Sequence, residues 1–157
     1  MRLHAEGSID AAIERAGTMP LPPYIRTAVE DPERYQTVYS RAVGSAAAPT
    51  AGLHFTPELL ERVRATCDVA EVDLKVGLDT FRPVAVDDLD THVMHSEAYG
   101  VDPAVRAQIA AAHRVVAIGT TSVRVLETIA DPAAPDAGRT SLLIQPGYRF
   151  RSVGMLV

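Results

Sequence analysis

Arg114-Val115-Val116-Ala117-Ile118-Gly119-Thr120-Thr121-Ser122-Val123-Arg124-Val125-Leu126-Glu127 is the stretch from which the rest of this chain can be worked out. Val115 to Ile118 form a short apolar run of the kind that a buried parallel strand needs. Gly119 and three hydroxyl residues follow, and then a segment with Val123, Leu126 and Ile129 at helical spacing. A strand that turns into a helix through glycine and hydroxyls presents free backbone N–H groups at the helix start. Those groups suit a carboxylate or a phosphate, and glycine lets a ligand approach the backbone closely. The plainer alternative is that one of the hydroxyls only caps the helix.

Working outward, Asp102-Pro103 opens a helix that turns Val105, Ile109 and Ala112 inward. Val69 to Gly77 alternates, with Val72, Leu74 and Val76 on one face and Glu71, Asp73 and Lys75 on the other, which predicts a strand at an edge or under a charged cover. Leu78 to Gly100 shows no clear period, and irregular segments of that length are more often functional than idle. Beyond the central helix, Asp131 to Gly138 reads as a loop, Ser141 to Gln145 as a strand and Pro146-Gly147 as its turn. The order strand, loop, helix, strand, helix, strand predicts an α/β fold with a mostly parallel sheet. Ligands of such sheets sit beyond the carboxyl ends of the strands. Gly77 to Arg82, Gly119 to Ser122 and Gln145 to Gly147 would meet there.

In the first part of the chain, Ser8 to Ala16 reads as a helix capped by Ser8 and ended by Gly17. Pro20, Pro22 and Pro23 make an extended boundary, with a domain edge near Tyr24. Asp31-Pro32-Glu33 and Thr56-Pro57-Glu58 are two helix starts of one design. The first would carry Tyr35, Val38 and Tyr39, and the second Leu59, Leu60 and Val63 inward. A glycine- and alanine-rich loop, Gly44 to Gly52, lies between them.

The 157 residues suffice for a real core, and 47% hydrophobic with 22% charged content is ordinary for a globular chain. No apolar run is long enough to span a bilayer, and Met1 to Gly7 lacks the apolar core of a signal peptide. Cys67 is the lone cysteine, which excludes an internal disulfide; a reducing cytoplasm is the expected compartment. The net charge of −5 argues against a general nucleic-acid coat but leaves room for a local basic patch. Every basic residue except Lys75 is arginine, the side chain suited to phosphate and carboxylate.

His92, His95 and Glu97 invite a metal reading, but the histidines are three apart and a zinc-protease helix needs four. We expect no metal. Proton transfer by His95 or Glu97 fits the residue types better, and hydrogen bonding that only holds a loop is the structural alternative. His54, just before a helix start, faces either a ligand or local backbone. Arg124, one turn into its helix, either reaches an anion at the helix start or makes a surface ion pair. No nucleophile elbow, P-loop or dinucleotide fingerprint is present.

Several segments together carry a resemblance. They are Asp31-Pro32-Glu33-Arg34-Tyr35-Gln36-Thr37-Val38-Tyr39, Ala48-Pro49-Thr50-Ala51-Gly52-Leu53-His54-Phe55-Thr56, and Val76-Gly77 with Thr80-Phe81-Arg82-Pro83-Val84. Met94-His95-Ser96-Glu97 and Gly119-Thr120-Thr121-Ser122-Val123-Arg124 follow in the same order. The chain closely resembles the S-adenosylmethionine:tRNA ribosyltransferase-isomerase family of queuosine biosynthesis over nearly its whole length. Leu21-Pro22-Pro23-Tyr24-Ile25 and Pro146-Gly147-Tyr148 also fit.

The resemblance implies transfer and isomerisation of the ribosyl part of S-adenosylmethionine onto the aminomethyl-deazaguanine wobble base of tRNA. Epoxyqueuosine-tRNA forms, and adenine and methionine are released. It implies a larger, partly open, barrel-like α/β domain with a smaller inserted β-barrel. Residues 1–24 would be the tail of the insert and residues 25–157 part of the larger domain, with the family's opening segment, most of the insert and its closing segment lying outside this chain. The expected catalytic residues are His95, Glu97 and His54. Thr50, Gly52, Phe55, Thr56, Arg82, Gly119, Thr120, Thr121, Ser122 and Arg124 are expected to bind substrate. Arg34 and Arg41 join Arg82 and Arg124 as expected phosphate contacts. Asp79 and Ala98 stand where the family usually has glycine and tryptophan. They motivate the alternative of a divergent S-adenosylmethionine-binding relative with another acceptor; a second alternative is an RNA-binding piece without catalysis.

Overall fold

Side chains just ahead of the helices set their starts. Ser8, Thr56 and Asp102 each accept a hydrogen bond from a first-turn N–H, and proline occupies the first turn after Thr56 and Asp102. The computed structural model describes residue 4 and residues 6–18, 20–27 and 29–157. Its helices are α1 (Ile9–Ala16), α2 (Pro57–Arg64), α3 (Pro103–Ala111) and α4 (Gly119–Ile129). Its strands are β1 (Asp73–Lys75), β2 (Glu97–Gly100), β3 (Val115–Ala117), β4 (Ala137–Thr140) and β5 (Val153–Leu156). Among the described residues no helix is long and apolar enough to cross a membrane.

The strands form two small sheets. One has the order β1-β2-β4, with both pairings antiparallel; the other is the parallel pair β3-β5. The fold is therefore mixed α/β, and the expectation of a mostly parallel sheet is corrected. The cause is β2, which lies inside the segment read as irregular. Its inward positions are Glu97 and Tyr99, at 3% and 5% exposure, so a charge occupies a core position and hides the apolar alternation. Once β2 doubles back beside β1, the order of elements no longer implies parallel pairing.

Three smaller corrections have similar causes. The strand read at Ser141 to Gln145 is instead β4, whose Ala-Gly-Arg-Thr sequence carries no strand signature. The helix after Asp31 is a single 3-10 turn, Pro32–Tyr35; Tyr35 is buried, but Val38 lies outside the turn and is exposed. Residues 1–24 contribute α1 and, among the described residues, no strand.

α4 sits where the two sheets meet and is covered on two sides. Val125 and Ile129 join Leu74, Tyr99 and Val101, with Val72, Val76 and Val105 packed around them. Val123 and Leu126 join Ala117, with Ile144, Val115 and Val153 packed around them. Ile109 of α3 touches both clusters, whereas Ala112 of the same expected face is exposed. The expected phase of the β1 segment is correct, and β1 is an edge strand. Apolar residues thus occupy two faces of α4, Val125 and Ile129 on one and Val123 and Leu126 on the other.

Candidate active site

The rim differs from the expected one: Gly77 follows β1, but Gly119 follows β3 of the other sheet, and Gln145–Gly147 lies beyond the end of β4. β1 and β4 both run antiparallel to β2, so their carboxyl ends lie on one rim beside the start of β2. Gly77, Glu97 and Thr140 occupy that rim, and Arg124 reaches it from the second turn of α4. Arg124 Nη1 donates to Glu97 Oε2 at 2.6 Å, and Nη2 donates to the carbonyls of His95 (2.9 Å) and Thr140 (3.2 Å). The Gly77 N–H donates to the other carboxylate oxygen, Oε1, at 3.0 Å.

His95 completes the cluster. Its Nε2 lies 3.2 Å from Glu97 Oε1 but off the hydrogen-bond direction, so this buried nitrogen has no aligned partner; nor does Nε of Arg124. Glu97 thus has both oxygens engaged, whereas the imidazole has a nitrogen in reserve. The arrangement separates the two expected proton carriers.

The start of α4 is the second part. Gly119 has φ +81°, and its N–H donates to the carbonyl of Val157 at 2.8 Å. No side chain caps this helix. The Ser122 hydroxyl donates backward to the Ile118 carbonyl, so the capping-only alternative does not describe it. A Cβ on Gly119 would lie 3.2 Å from the Cβ of Ala51, which places the 3-10 turn Thr50–His54 against the helix start. Thr120 is exposed there, and Thr121 and Ser122 are half-buried.

The remaining expected residues are placed as follows. Thr50 and His54 are exposed at the two ends of that turn, and Phe55 is half-buried just beyond it. Thr56 caps α2 through its hydroxyl, which accepts from the Leu59 N–H. Arg82 points to solvent and pairs with Asp79 at 3.0 Å, apart from the Arg124 cluster. Arg41 pairs with Glu71, and Arg34 is exposed on its short turn. Arg124 uses Nη1 and Nη2 on Glu97 and two carbonyls, whereas its buried Nε has no partner among the described residues. Two clefts, of about 410 Å³ beside Ile109, Ile129 and Arg151 and of about 230 Å³ beside Tyr39, Leu60 and Arg64, include of the expected residues only Arg41, which lines the smaller one.

The sequence matches the family described as Queuosine biosynthesis protein over residues 1–157. The chain belongs to that family. It is 55% identical to the S-adenosylmethionine:tRNA ribosyltransferase-isomerase of Symbiobacterium thermophilum, over 98% of this chain and 48% of that protein. It is 53% identical to the same-named protein of Moorella thermoacetica, over 98% of this chain and 47% of the other, and 48% identical to that of Staphylococcus saprophyticus, over 100% and 48%. The chain spans about half the length of the curated relatives it matches.

In this queuosine-family chain two residues missed at the level of sequence hold the site together. Glu127, 4% exposed, accepts from Tyr148 Oη and from the backbone N–H groups of Arg151, Ser152 and Val153. A lone acid among Val125, Leu126 and Ile129 was the available signal. Tyr39 is the other. A Cβ added to Gly52 would collide with its hydroxyl oxygen and lie 2.8 Å from Thr37 Cγ2. Gly52 is therefore a packing glycine under the turn that abuts α4. Gly52→Ala is expected to cost about 1–3 kcal/mol through overpacking, read as a lower urea midpoint at unchanged slope. A parental midpoint would show that Tyr39 gives way freely.

Proposed function

We propose that this chain forms part of an enzyme that moves the ribosyl group of S-adenosylmethionine to the aminomethyl-deazaguanine wobble base of a tRNA. Epoxyqueuosine-tRNA forms, and adenine and methionine leave. The family membership and the names of the relatives support the reaction. The observation that carries the assignment within the chain is the Arg124–Glu97–His95 cluster on the strand rim, beside an uncapped helix start.

The sulfonium of S-adenosylmethionine acidifies the neighbouring ribose carbon. In this reading His95 takes that proton, and ring opening and loss of adenine follow. Glu97 keeps the imidazole facing the rim, and Arg124 and the Gly77 N–H fix Glu97 in turn. The first-turn N–H groups of α4 and the hydroxyls of Thr120 and Thr121 receive an anionic group, the methionine carboxylate or a tRNA phosphate. His54 and Thr50, on the turn against that helix start, contact the same nucleoside. The division into residues 1–24, the tail of an inserted β-barrel, and residues 25–157, of the larger partly open barrel-like domain, belongs to this proposal, as does a cytoplasmic setting.

Calorimetry with S-adenosylmethionine and an adenine-release assay with and without wobble-modified tRNA test it. We expect His95→Ala to cut adenine release by roughly 10²–10⁴-fold, the usual range for a general base, with S-adenosylmethionine affinity within a few-fold of the parent. Release at the parental rate would refute the role of His95. Adenine release with no dependence on tRNA would favour the divergent relative with another acceptor. The Asp79–Arg82 ion pair is consistent with that second reading, because it ties up an arginine expected to contact phosphate.

A further inference from the structure

The segment Tyr148-Arg149-Phe150-Arg151 alternates rings and guanidinium groups, and nothing in the mechanism above uses it. It follows the turn at Pro146-Gly147, where Gly147 has φ +93° and the Tyr148 N–H donates to the Gln145 carbonyl. The two rings pack edge to face with centroids 5.2 Å apart. Tyr148 is half-buried, but Phe150 is 52% exposed, although a phenyl ring is among the groups that gain most from burial. Arg149 and Arg151 are exposed, and so is Arg114, which lies across the β3-β5 pair against Gly154. Among the described residues none of these three arginines has a carboxylate within 4.0 Å.

The segment is also held still. Glu127 accepts four hydrogen bonds along it, one from the Tyr148 hydroxyl and three from successive backbone N–H groups at Arg151, Ser152 and Val153. The buried carboxylate uses its charge on these donors, beneath the surface that carries the arginines. An exposed ring flanked by unpaired guanidinium groups on a fixed backbone is the chemistry that stacks an unpaired base and tracks its phosphates. In a chain of net charge −5, such a patch is a local departure from the overall sign.

We propose that Tyr148 to Arg151, with Arg114, is a docking platform for single-stranded RNA. Phe150 stacks one base, and Arg149, Arg151 and Arg114 contact phosphates. The proposal rests on the reading of the acceptor as an RNA. Glu127 lies eight residues beyond Gly119 on α4, about 12 Å along the helix axis. That is on the order of three to four stacked nucleotides at the duplex rise. The platform therefore meets nucleotides that flank a base held at the start of α4, and a loop fits better than a duplex, whose bases are not free to stack on a ring.

The test is fluorescence anisotropy with a labelled tRNA anticodon stem-loop, titrated with the whole 157-residue chain at several salt concentrations. Phe150→Ala is expected to weaken binding about ten-fold or more, and Phe150→Trp to retain it. Arg149→Gln with Arg151→Gln is expected to lower the slope of log affinity against log salt by about 1.4, two single-strand phosphate contacts. The affected side chains are exposed, so thermal midpoints should stay at the parental value. S-adenosylmethionine affinity, measured alongside, should not change. Parental RNA affinity and salt slope in the variants, or no RNA binding by the parent, would overturn the platform. Loss of RNA binding in the variants of a chain that never binds S-adenosylmethionine would support the platform and sink the enzymatic reading instead. Equal affinity for a fully paired duplex would overturn the stacking role of Phe150.

Discussion

Glu127→Ala is expected to lower the thermal midpoint by about 10 °C or more, from a loss of roughly 3–5 kcal/mol. The side chain is buried and is the acceptor for three consecutive N–H groups and one hydroxyl. Removing it leaves those backbone donors without partners in a site with little water access, and each such donor costs about 1–3 kcal/mol. It also releases the entry to β5, the partner of β3 beneath α4. Glu127→Gln keeps the shape but presents an amide N–H₂ to donors, so it should recover only part of the loss.

The same residue sets an acid limit. Burial alone raises the carboxyl pKa, but the hydrogen bonds from Arg151, Val153, Ser152 and Tyr148 outweigh it, and the net position is below the ordinary glutamate value. A folded-state pKa below the unfolded one gives stability that is present above the unfolded value and is lost as pH falls through the folded value. Thermal midpoints should therefore fall below about pH 4.5 more steeply in the parent than in Glu127→Gln, which has no group to protonate there. Parallel curves for the two proteins would show that Glu127 contributes nothing to acid sensitivity.

How much could be read from the sequence follows from where each signal resides. Caps and first-turn prolines act locally, so α1, α2 and α3 were legible to within a residue at their starts. The strand–glycine–helix stretch was legible because β3 and α4 are apolar on the faces that matter. β2 was not, since Glu97 at an inward position takes its hydrogen bonds from Arg124, 27 residues away, and from Gly77, 20 residues away. β4 was not, because Ala137, Gly138 and Arg139 carry no pattern, and pairing with β2 is what makes them a strand. The site residues were legible as residue types, but their roles were not. Arg124 was read as a substrate contact and Glu97 as a proton carrier, and in the structure they are each other's partners.

That pairing leads to the second large effect. Arg124→Ala is expected to destabilise the fold by about 3–5 kcal/mol, because it strands the Glu97 charge at 3% exposure. The guanidinium also bonds the carbonyls of His95 and Thr140, so its loss loosens the start of β2 and the end of β4 together. Lysine supplies the charge but not the planar fork, and it cannot satisfy three acceptors in those directions. Arg124→Lys should therefore fold but lose the fixed position of His95. Adenine release should fall in it by more than S-adenosylmethionine affinity does. The decisive measurement is a double-mutant cycle in urea. Arg124→Ala combined with Glu97→Ala should be less destabilised than the sum of the single changes by about 1–3 kcal/mol, since removing the second partner also removes the buried unpaired charge. Additivity within about 0.5 kcal/mol would mean that solvent already satisfies Glu97 when Arg124 is gone. The rim cluster would then be too loose to orient an imidazole, and the role assigned to His95 would lose its physical basis.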